Sequence, residues 1–409
     1  MINIILTSII LAMPLYLFRF TVLGIPTNVF EVVLYLSLLV WMWYRYRTNS
    51  KKVNFSTGSN DIQVNWRLPW VVWAWLGIGL IGALVNPDWL SGLGFWRAYF
   101  IDGALVYLII GNEIDVAKVI LPRALIAIGG IVSVVSLISA TGWHVAIDGR
   151  WLGWFGFDNF ASPNYLSLFI APIVALSIMA MFFWRGLWRY LALVSSLIMI
   201  IALVGSQSRG AVVGVVGGII VAIVYYAYRN KQKYTWLKWS ALALIIIATA
   251  TFYIAKPNAN ASPADGRVAT SNNIRWEIWK TSTEIIKGKP IFGVGLGNFQ
   301  EYFTQLTIGR VNYPEFISPL ALTAHNLYLQ VLTTLGTVGL IIFIWWLIII
   351  IKAMSASPNK AETTIVVSTL ASILLYGLVD TPFFKNDLAI LWWVIVSLIM
   401  VYGKEKSQA

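Results

Sequence analysis

The sequence predicts an all-α, polytopic membrane protein: about twelve transmembrane helices and one large helical extracytoplasmic loop. Three observations carry this reading. Apolar residues make up 59% of the chain and charged residues only 11%, against about 25% charged in soluble domains. The apolar residues gather in runs near the roughly 20 residues that a spanning helix needs. The runs are continuous rather than alternating, which argues against a β-barrel, and lipid offers no partners to open backbone groups, which leaves helices.

In chain order the apolar runs lie near 2–18, 28–44, 69–85, 94–111, 119–140, 164–183, 188–204, 209–228, 237–255, 322–351, 361–379 and 387–403. The start, Met1-Ile2-Asn3-Ile4, lacks the basic segment of a cleaved signal peptide and reads as a first span that stays. With no cysteine in the chain, a disulfide framework, a zinc ribbon and a thiol nucleophile are excluded. The tryptophan pairs Trp41/Trp43, Trp73/Trp75 and Trp345/Trp346 suit interfacial belts, with some rings deep enough to pack in the bundle.

A net charge of +12 raises nucleic acid as a partner, but its distribution argues for orientation instead. With a cytoplasmic amino terminus and twelve spans, most of the 29 basic residues fall on the cytoplasmic side, among them Arg45, Arg47, Arg123, Arg185, Arg229, Lys352 and Lys404. Most of the others lie in one long loop, which is exempt from the positive-inside rule. The chain is therefore expected in the cytoplasmic (inner) membrane, multi-pass, with both termini cytoplasmic, the lipid bilayer as a partner and no nucleic acid.

The expected organisation is spans one to nine over 1–255, an extracytoplasmic helical loop over 256–321, and spans ten to twelve over 322–409, all in one membrane domain. The loop opens with a Pro/Asn/Ala-rich stretch, 256–266. Asn272 or Asn273 then caps a helix to about Lys287, stopped by Gly288 and Pro290. Glu277, Lys280, Glu284 and Lys287 form its charged face; Ile274, Ile278, Trp279, Ile285 and Ile286 form the apolar one. Arg275 falls inside the apolar face, where a guanidinium must find a carboxylate, a carbonyl or an anionic ligand; Asp380 and Glu315 are candidate ion-pair partners. Gly293-Val294-Gly295-Leu296-Gly297 follows a helix and lacks the spacing of a nucleotide fingerprint, so it reads as a tight turn packing two helices. Asn298-Phe299-Gln300-Glu301 has the pattern of a capping box.

Three constellations bear on chemistry. Gly205-Ser206-Gln207-Ser208-Arg209-Gly210 is a short connection between two spans on the outer side. Ser208 can cap the next helix, whose first N–H groups then point outward beside the Arg209 guanidinium, which forms an anion site; the alternative is Arg209 snorkelling to lipid phosphates. Gly210, Gly214 and Gly218 allow close helix contact. His325, one of two histidines, heads the run 322–351, which would be about 45 Å long against about 30 Å of hydrocarbon. The helix must tilt or project, with the ring in its first two turns if it begins near Ser318-Pro319. His325 is then either a proton acceptor at a lipid head group or an interfacial histidine without a role. Asp380 can orient His325, pair with an arginine, or simply end a helix. Asp102 inside the fourth span needs a partner, either Arg97 or another helix. Arg150 and Asn164 decorate the loop 141–164 beside His144 and Asp158. No Walker motif, HExxH, acidic metal pair or Gly-x-Ser-x-Gly elbow occurs, so neither a metal nor a cofactor is expected.

His325-Asn326, nine residues, then Gly336-Thr337-Val338-Gly339 resembles the signature of the O-antigen ligase and O-antigen polymerase superfamily. Ser206-Gln207-Ser208-Arg209-Gly210-Ala211 is similar to that family's Ser-Arg-Gly turn. Asn273-Ile274-Arg275-Trp276 followed by Gly293 to Phe299 resembles its large outer loop, Arg150 to Tyr165 its segment before the sixth span, and Asp380-Thr381-Pro382-Phe383-Phe384 its penultimate span end. The resemblance covers roughly residues 140–400. It implies a metal-independent glycosyltransferase acting on a polyprenyl-diphosphate-linked glycan donor, with a glycan, lipid or protein acceptor. Carried over, Arg209 and Arg275 would bind the diphosphate and His325 would sit by the acceptor hydroxyl, with Ser208, Asn326, Arg150, Asn164 and Asp380 lining the substrate site. A ligase is favoured over a polymerase that extends the lipid-linked chain. The alternative of another class is a transporter or flippase of lipid-linked sugars, which calls for ionisable residues near the midplane and discontinuous helices.

Overall fold

The computed structural model describes residues 1–50, 68–146, 149–158, 161–231, 271–308 and 321–404. The expected span 237–255, the loop opening 256–266, Glu315 and the helix start at Ser318-Pro319 lie outside these residues.

The described chain forms fourteen α-helices: α1 (Ile2–Ala12), α2 (Val29–Ser50), α3 (Trp70–Val85), α4 (Trp89–Trp96), α5 (Asp102–Asn112), α6 (Ile114–Leu137), α7 (Pro163–Phe183), α8 (Leu187–Ser206), α9 (Arg209–Arg229), α10 (Ser271–Gly288), α11 (Phe299–Thr307), α12 (Leu327–Ala356), α13 (Lys360–Tyr376) and α14 (Asn386–Lys404). Eight stretches among the described residues are long and apolar enough to cross a membrane, and Ile2–Leu17 and Trp70–Val85 are shorter apolar helices. The all-α expectation misses one element. The chain between the first two helices forms an antiparallel hairpin, β1 (Arg19–Val22) with β2 (Ile25–Asn28), in the register Arg19↔Asn28 to Val22↔Ile25. Its two-residue turn, Leu23-Gly24, has both φ angles positive, as a type I′ hairpin turn demands.

Helices α4 and α5 are one span interrupted by a π-helical turn, Arg97–Ile101. The wider turn re-aims the polar residues that flank it. Arg97 pairs with Glu31 of α2 at 2.8 Å, and Asp102 accepts a hydrogen bond from the Tyr35 hydroxyl at 2.8 Å. The hydrogen-bond partner of Asp102 therefore comes from a second helix.

Helices α7 and α14 are buried on nearly every side and form the centre of the bundle. Trp392 and Trp393 of α14 meet Trp346 of α12, which in turn meets Trp75 of α3. Each tryptophan pair noted in the sequence divides: Trp41, Trp75 and Trp346 are buried, while Trp43, Trp73 and Trp345 are exposed. A spacing of one or two residues turns the rings 100–200° apart on a helix, so one faces the bundle and one its surroundings.

α9 lies along α13. An added Cβ at Gly210 would sit 2.7 Å from the Tyr376 ring, at Gly214 3.1 Å from the Ser372 carbonyl, and at Gly218 2.5 Å from the Ser368 carbonyl. The small-residue stripe thus lets the two backbones approach.

α12 is broken at Gly336 (φ 69°, ψ −168°). The segment after α10 completes the break. The Thr333 carbonyl accepts from Val294 N–H at 2.7 Å and the Thr334 carbonyl from Gly295 N–H at 3.2 Å, while Thr337 N–H donates to Pro290 at 2.8 Å and Val338 N–H to Ile291 at 3.3 Å. Backbone groups that the break exposes are thereby satisfied by another piece of chain. The same segment reaches α3, with Leu296 N–H donating to the Gly82 carbonyl at 2.9 Å. Gly293, Gly295 and Gly297 all have positive φ, and a Cβ at Gly293 would lie 2.4 Å from the Thr333 oxygen. The glycine run is a splice into a broken helix, which is more than the turn its sequence predicts.

A second, smaller apolar core of Ile278, Ile285, Val294, Phe299, Phe303, Ala321 and Ala324 holds α10 and α11 over the end of the bundle that carries His325. Glu277 and Lys280 pair at 2.9 Å on the outer face of α10.

Candidate active site

His325 stands two residues before α12, outside its first turns, with a left-handed backbone (φ 47°). The helix begins later than the apolar run suggests because Asn326 caps it. The Asn326 side-chain oxygen accepts from the N–H groups of Tyr328 and Leu329, each at 3.0 Å, and its amide donates to the Leu378 carbonyl at 2.8 Å. An asparagine that takes two first-turn N–H groups fixes the helix start at the next residue, and the second bond ties that start to the chain leaving α13.

The His325 ring is held from one side. Its Nδ1 lies 3.2 Å from Asp380 Oδ1; the ring is 31% exposed and the carboxylate 4%. Asp380 Oδ1 also accepts Thr381 N–H at 2.9 Å, and Oδ2 accepts the Asn164 amide at 3.1 Å. Burial alone would push the Asp380 carboxyl up; the His325 ring, the Arg275 guanidinium and the Thr381 N–H outweigh burial and hold it below its ordinary value. An ionised carboxylate on Nδ1 favours the tautomer with its proton there and leaves Nε2 to accept another. Asp380 thus bonds the His325 ring and also lies within the field of the Arg275 guanidinium.

Asn164 is placed by the start of α7. Ser162 precedes Pro163 at the first helical position and accepts the Asn164 N–H at 3.3 Å, a capped start with the φ of the first residue preset. One turn on, the Ser167 hydroxyl donates to the Asn164 carbonyl at 3.0 Å and meets the Tyr376 hydroxyl at 2.7 Å. The Tyr376 hydroxyl meets Ser208 as well, also at 2.7 Å. Ser208 occupies the capping position of α9, yet its side chain makes no capping bond. The expected cap is absent, and the hydroxyl bonds Tyr376 instead. Arg209, the first residue of α9, is exposed beside it.

Arg275 reaches the same cluster from α10. Trp279 donates its indole N–H to the His325 carbonyl at 3.4 Å, and residues four apart share a helix face. Arg275 therefore lies on the side of α10 that meets His325, half-buried, and its charge acts on Asp380. Arg150 sits on the flank: Trp151 N–H, next in the chain, donates to the Gly205 carbonyl at 2.9 Å, just before the Ser206–Arg209 turn. His144 packs against Trp143 and Phe157 and its Nδ1 lies 3.2 Å from the Gly153 carbonyl, so it serves the loop.

Two groups escape a reading by motif. Tyr376 is one. Its only sequence signal is its place one helical turn before Asp380, whose N–H donates to the Tyr376 carbonyl at 3.0 Å. The other is Lys385, whose ammonium lies 3.2 Å from the Tyr165 ring centroid and 3.7 Å from Asp158 Oδ2. Burial lowers Lys385 to about 8, against the pull of Asp387 and Asp158.

Fold and site together define a helical membrane protein with an imidazole–carboxylate pair and two arginines on converging elements. Residues 194–344 match the family model described as O-antigen ligase. Over that segment the chain is similar to the O-antigen ligase family. The segment holds Ser208, Arg209, Arg275, His325 and Asn326, while Arg150, Asn164 and Asp380 lie outside it. No match was found among curated proteins.

Proposed function

We propose that this protein is a glycosyltransferase that moves a glycan from a polyprenyl diphosphate carrier to an acceptor hydroxyl at the outer face of the cytoplasmic membrane. The observation that carries this reading is the His325–Asp380 pair, with Arg275 acting on the same carboxylate. Asp380 engages Nδ1, so Nε2 takes the proton of the acceptor hydroxyl as its oxygen bonds to the anomeric carbon. The bond from that carbon to the diphosphate oxygen breaks with its electron pair on the diphosphate. Arg209 and Arg275 meet the developing negative charge. With a diphosphate already built as the leaving group, this chemistry needs no metal. Arg150 and Asn164 flank the sugar, and Asn326 holds the strand on which His325 sits.

The family match supports ligase and polymerase alike; we favour the ligase. The discriminating experiment gives the purified protein a labelled polyprenyl-diphosphate glycan and follows product mass. One added glycan per acceptor supports ligation, and a ladder of masses supports polymerisation. Transport of a lipid-linked sugar draws on the break in α12 at Gly336, but it predicts that His325→Ala keeps function. Transfer is expected to fall by about 10²–10⁴-fold in that variant, the usual share of a general base. Normal transfer by a folded His325→Ala protein would sink the assignment.

A further inference from the structure

The connection from α13 to α14 carries Asp380 towards one end and Lys385 at the other, with neither helix nor strand between them. Two adjacent residues at the start of α7 fasten both. Asp380 Oδ2 accepts the Asn164 amide at 3.1 Å, and the Lys385 ammonium lies 3.2 Å from the centroid of the Tyr165 ring. Neighbours on a helix point about 100° apart, so one helix start reaches both points of the connection.

The seat of Lys385 is unusual for a lysine. Two further rings stand round the ammonium, Phe155 at 4.9 Å and Tyr16 at 5.1 Å. They belong to the short turns before α7 and after α1. Nζ is buried and makes no hydrogen bond among the described residues; the carboxylate it pairs with, Asp158 Oδ2, stands 3.7 Å away. An ammonium has three protons to donate, and burying one is costly unless its charge is met. Here ring faces meet it, as a cation over an aromatic ring allows. An apolar side chain would fill the same space without that cost. What the ammonium adds is an attraction that depends on its charge.

We propose that Lys385 is a positioning residue: its charged ammonium, seated among Tyr16, Phe155 and Tyr165, fastens the α13–α14 connection to α7 and so holds the Asp380 carboxylate on His325 and Asn164. This rests on the glycosyl-transfer reading above. Lys385 touches no substrate; it acts through Asp380. Burial brings Lys385 down to about 8, against the pull of Asp387 and Asp158, and Arg19 adds to the fall. The fastening is therefore complete well below about pH 8 and is lost above it, as the ammonium becomes an amine. The groups that face it are Asp158 before α7, Asp387 on α14, Arg19 on β1 and the phenols of Tyr16 and Tyr165.

The test follows the His325 ring as well as transfer. The chain has two histidines, so isotope-labelled histidine gives two ring signals, and His325→Gln identifies one by its loss. Lys385→Met fills the space without charge. Its His325 Nδ1 signal is expected to move, and kcat with the glycan donor to fall about tenfold, with KM changed less. Lys385→Arg keeps a charge that stacks on rings. It is expected to hold the His325 signal, to keep kcat within about threefold of wild type, and to lose the wild-type step near pH 8 in both readouts. A purely structural role predicts no such step and no advantage of Arg over Met. An unmoved His325 signal in Lys385→Met, or a step near pH 8 that persists in Lys385→Arg, overturns the proposal. If Lys385→Arg does not fold, Tyr165→Leu decides. It removes the ring beneath the ammonium, so it should move the His325 signal as Lys385→Met does, and the double variant should move it no further. Additive shifts overturn the proposal. A protein with the expected signal pattern that transfers no glycan overturns the transfer reading alone.

Discussion

Asp380 is the residue on which the site turns, because it holds His325, Asn164 and the Thr381 N–H at once. Its folded carboxyl lies below the ordinary value. Such a group binds fewer protons folded than unfolded, so its contribution is complete above the unfolded value of about 4 and is lost as pH falls through the folded value. Thermal midpoints in detergent, followed downward from about pH 6, are expected to show an acid limb that is shallower in Asp380→Asn. Equal limbs in the two proteins would remove Asp380 from the acid response. Arg275 makes a separate prediction. Arg275→Lys keeps the charge but loses the planar fork suited to phosphate. The donor KM should rise about tenfold, with kcat affected less; an unchanged KM would remove Arg275 from the donor site.

At the scale of elements, the break in α12 is the feature with most depending on it. Gly336 combines φ +69° with a closest approach of 2.0 Å from an added Cβ to the Ile291 oxygen. Gly336→Ala therefore meets both a strained backbone and a clash, about 1–3 kcal/mol for the backbone alone. A thermal midpoint several degrees below wild type is expected, and an unchanged midpoint would show that the splice yields easily. The sequence shows where α12 is apolar but not where it stops being a helix. The left-handed glycine works only because Pro290 and Ile291 arrive to take the N–H groups of Thr337 and Val338, and no local pattern announces a partner so far along the chain. Arg275 was legible for the opposite reason. Its conflict with an apolar face is local, visible in one helical turn. Ser208 lay between these cases: its capping position could be read, but the diversion of its hydroxyl by Tyr376 depends on α13, far away in sequence. The β1–β2 hairpin hid in a stretch, Arg19–Asn28, too short and too apolar to separate from the spans on either side.

For the whole molecule, the absence of cysteine makes sidedness directly measurable. Single cysteines can be placed without background at Trp276 on α10 and at Lys352 near the far end of α12. If the His325 end faces outward, Trp276→Cys reacts with a membrane-impermeant maleimide in intact cells, and Lys352→Cys reacts only after permeabilisation. The reverse pattern would place the site on the cytoplasmic side and end the proposed reaction. That the chain carries many spans was plain from composition, because lipid dictates their length and polarity; among the described residues eight stretches meet that length and composition, against about twelve expected. The convergence of α7, α10 and the start of α12 on the carboxylate that follows α13 was not plain, because nothing local encodes which helix neighbours which. The splice also bears on how the protein comes to be built. Pro290 to Gly295 leave the ribosome before α12 exists, so the Pro290 and Ile291 carbonyls and the Val294 and Gly295 amides wait for partners that arrive tens of residues later. α12 in turn cannot complete its own backbone bonding without that earlier segment. The ring of His325 waits longer still, because its partner Asp380 is made after α12 is complete.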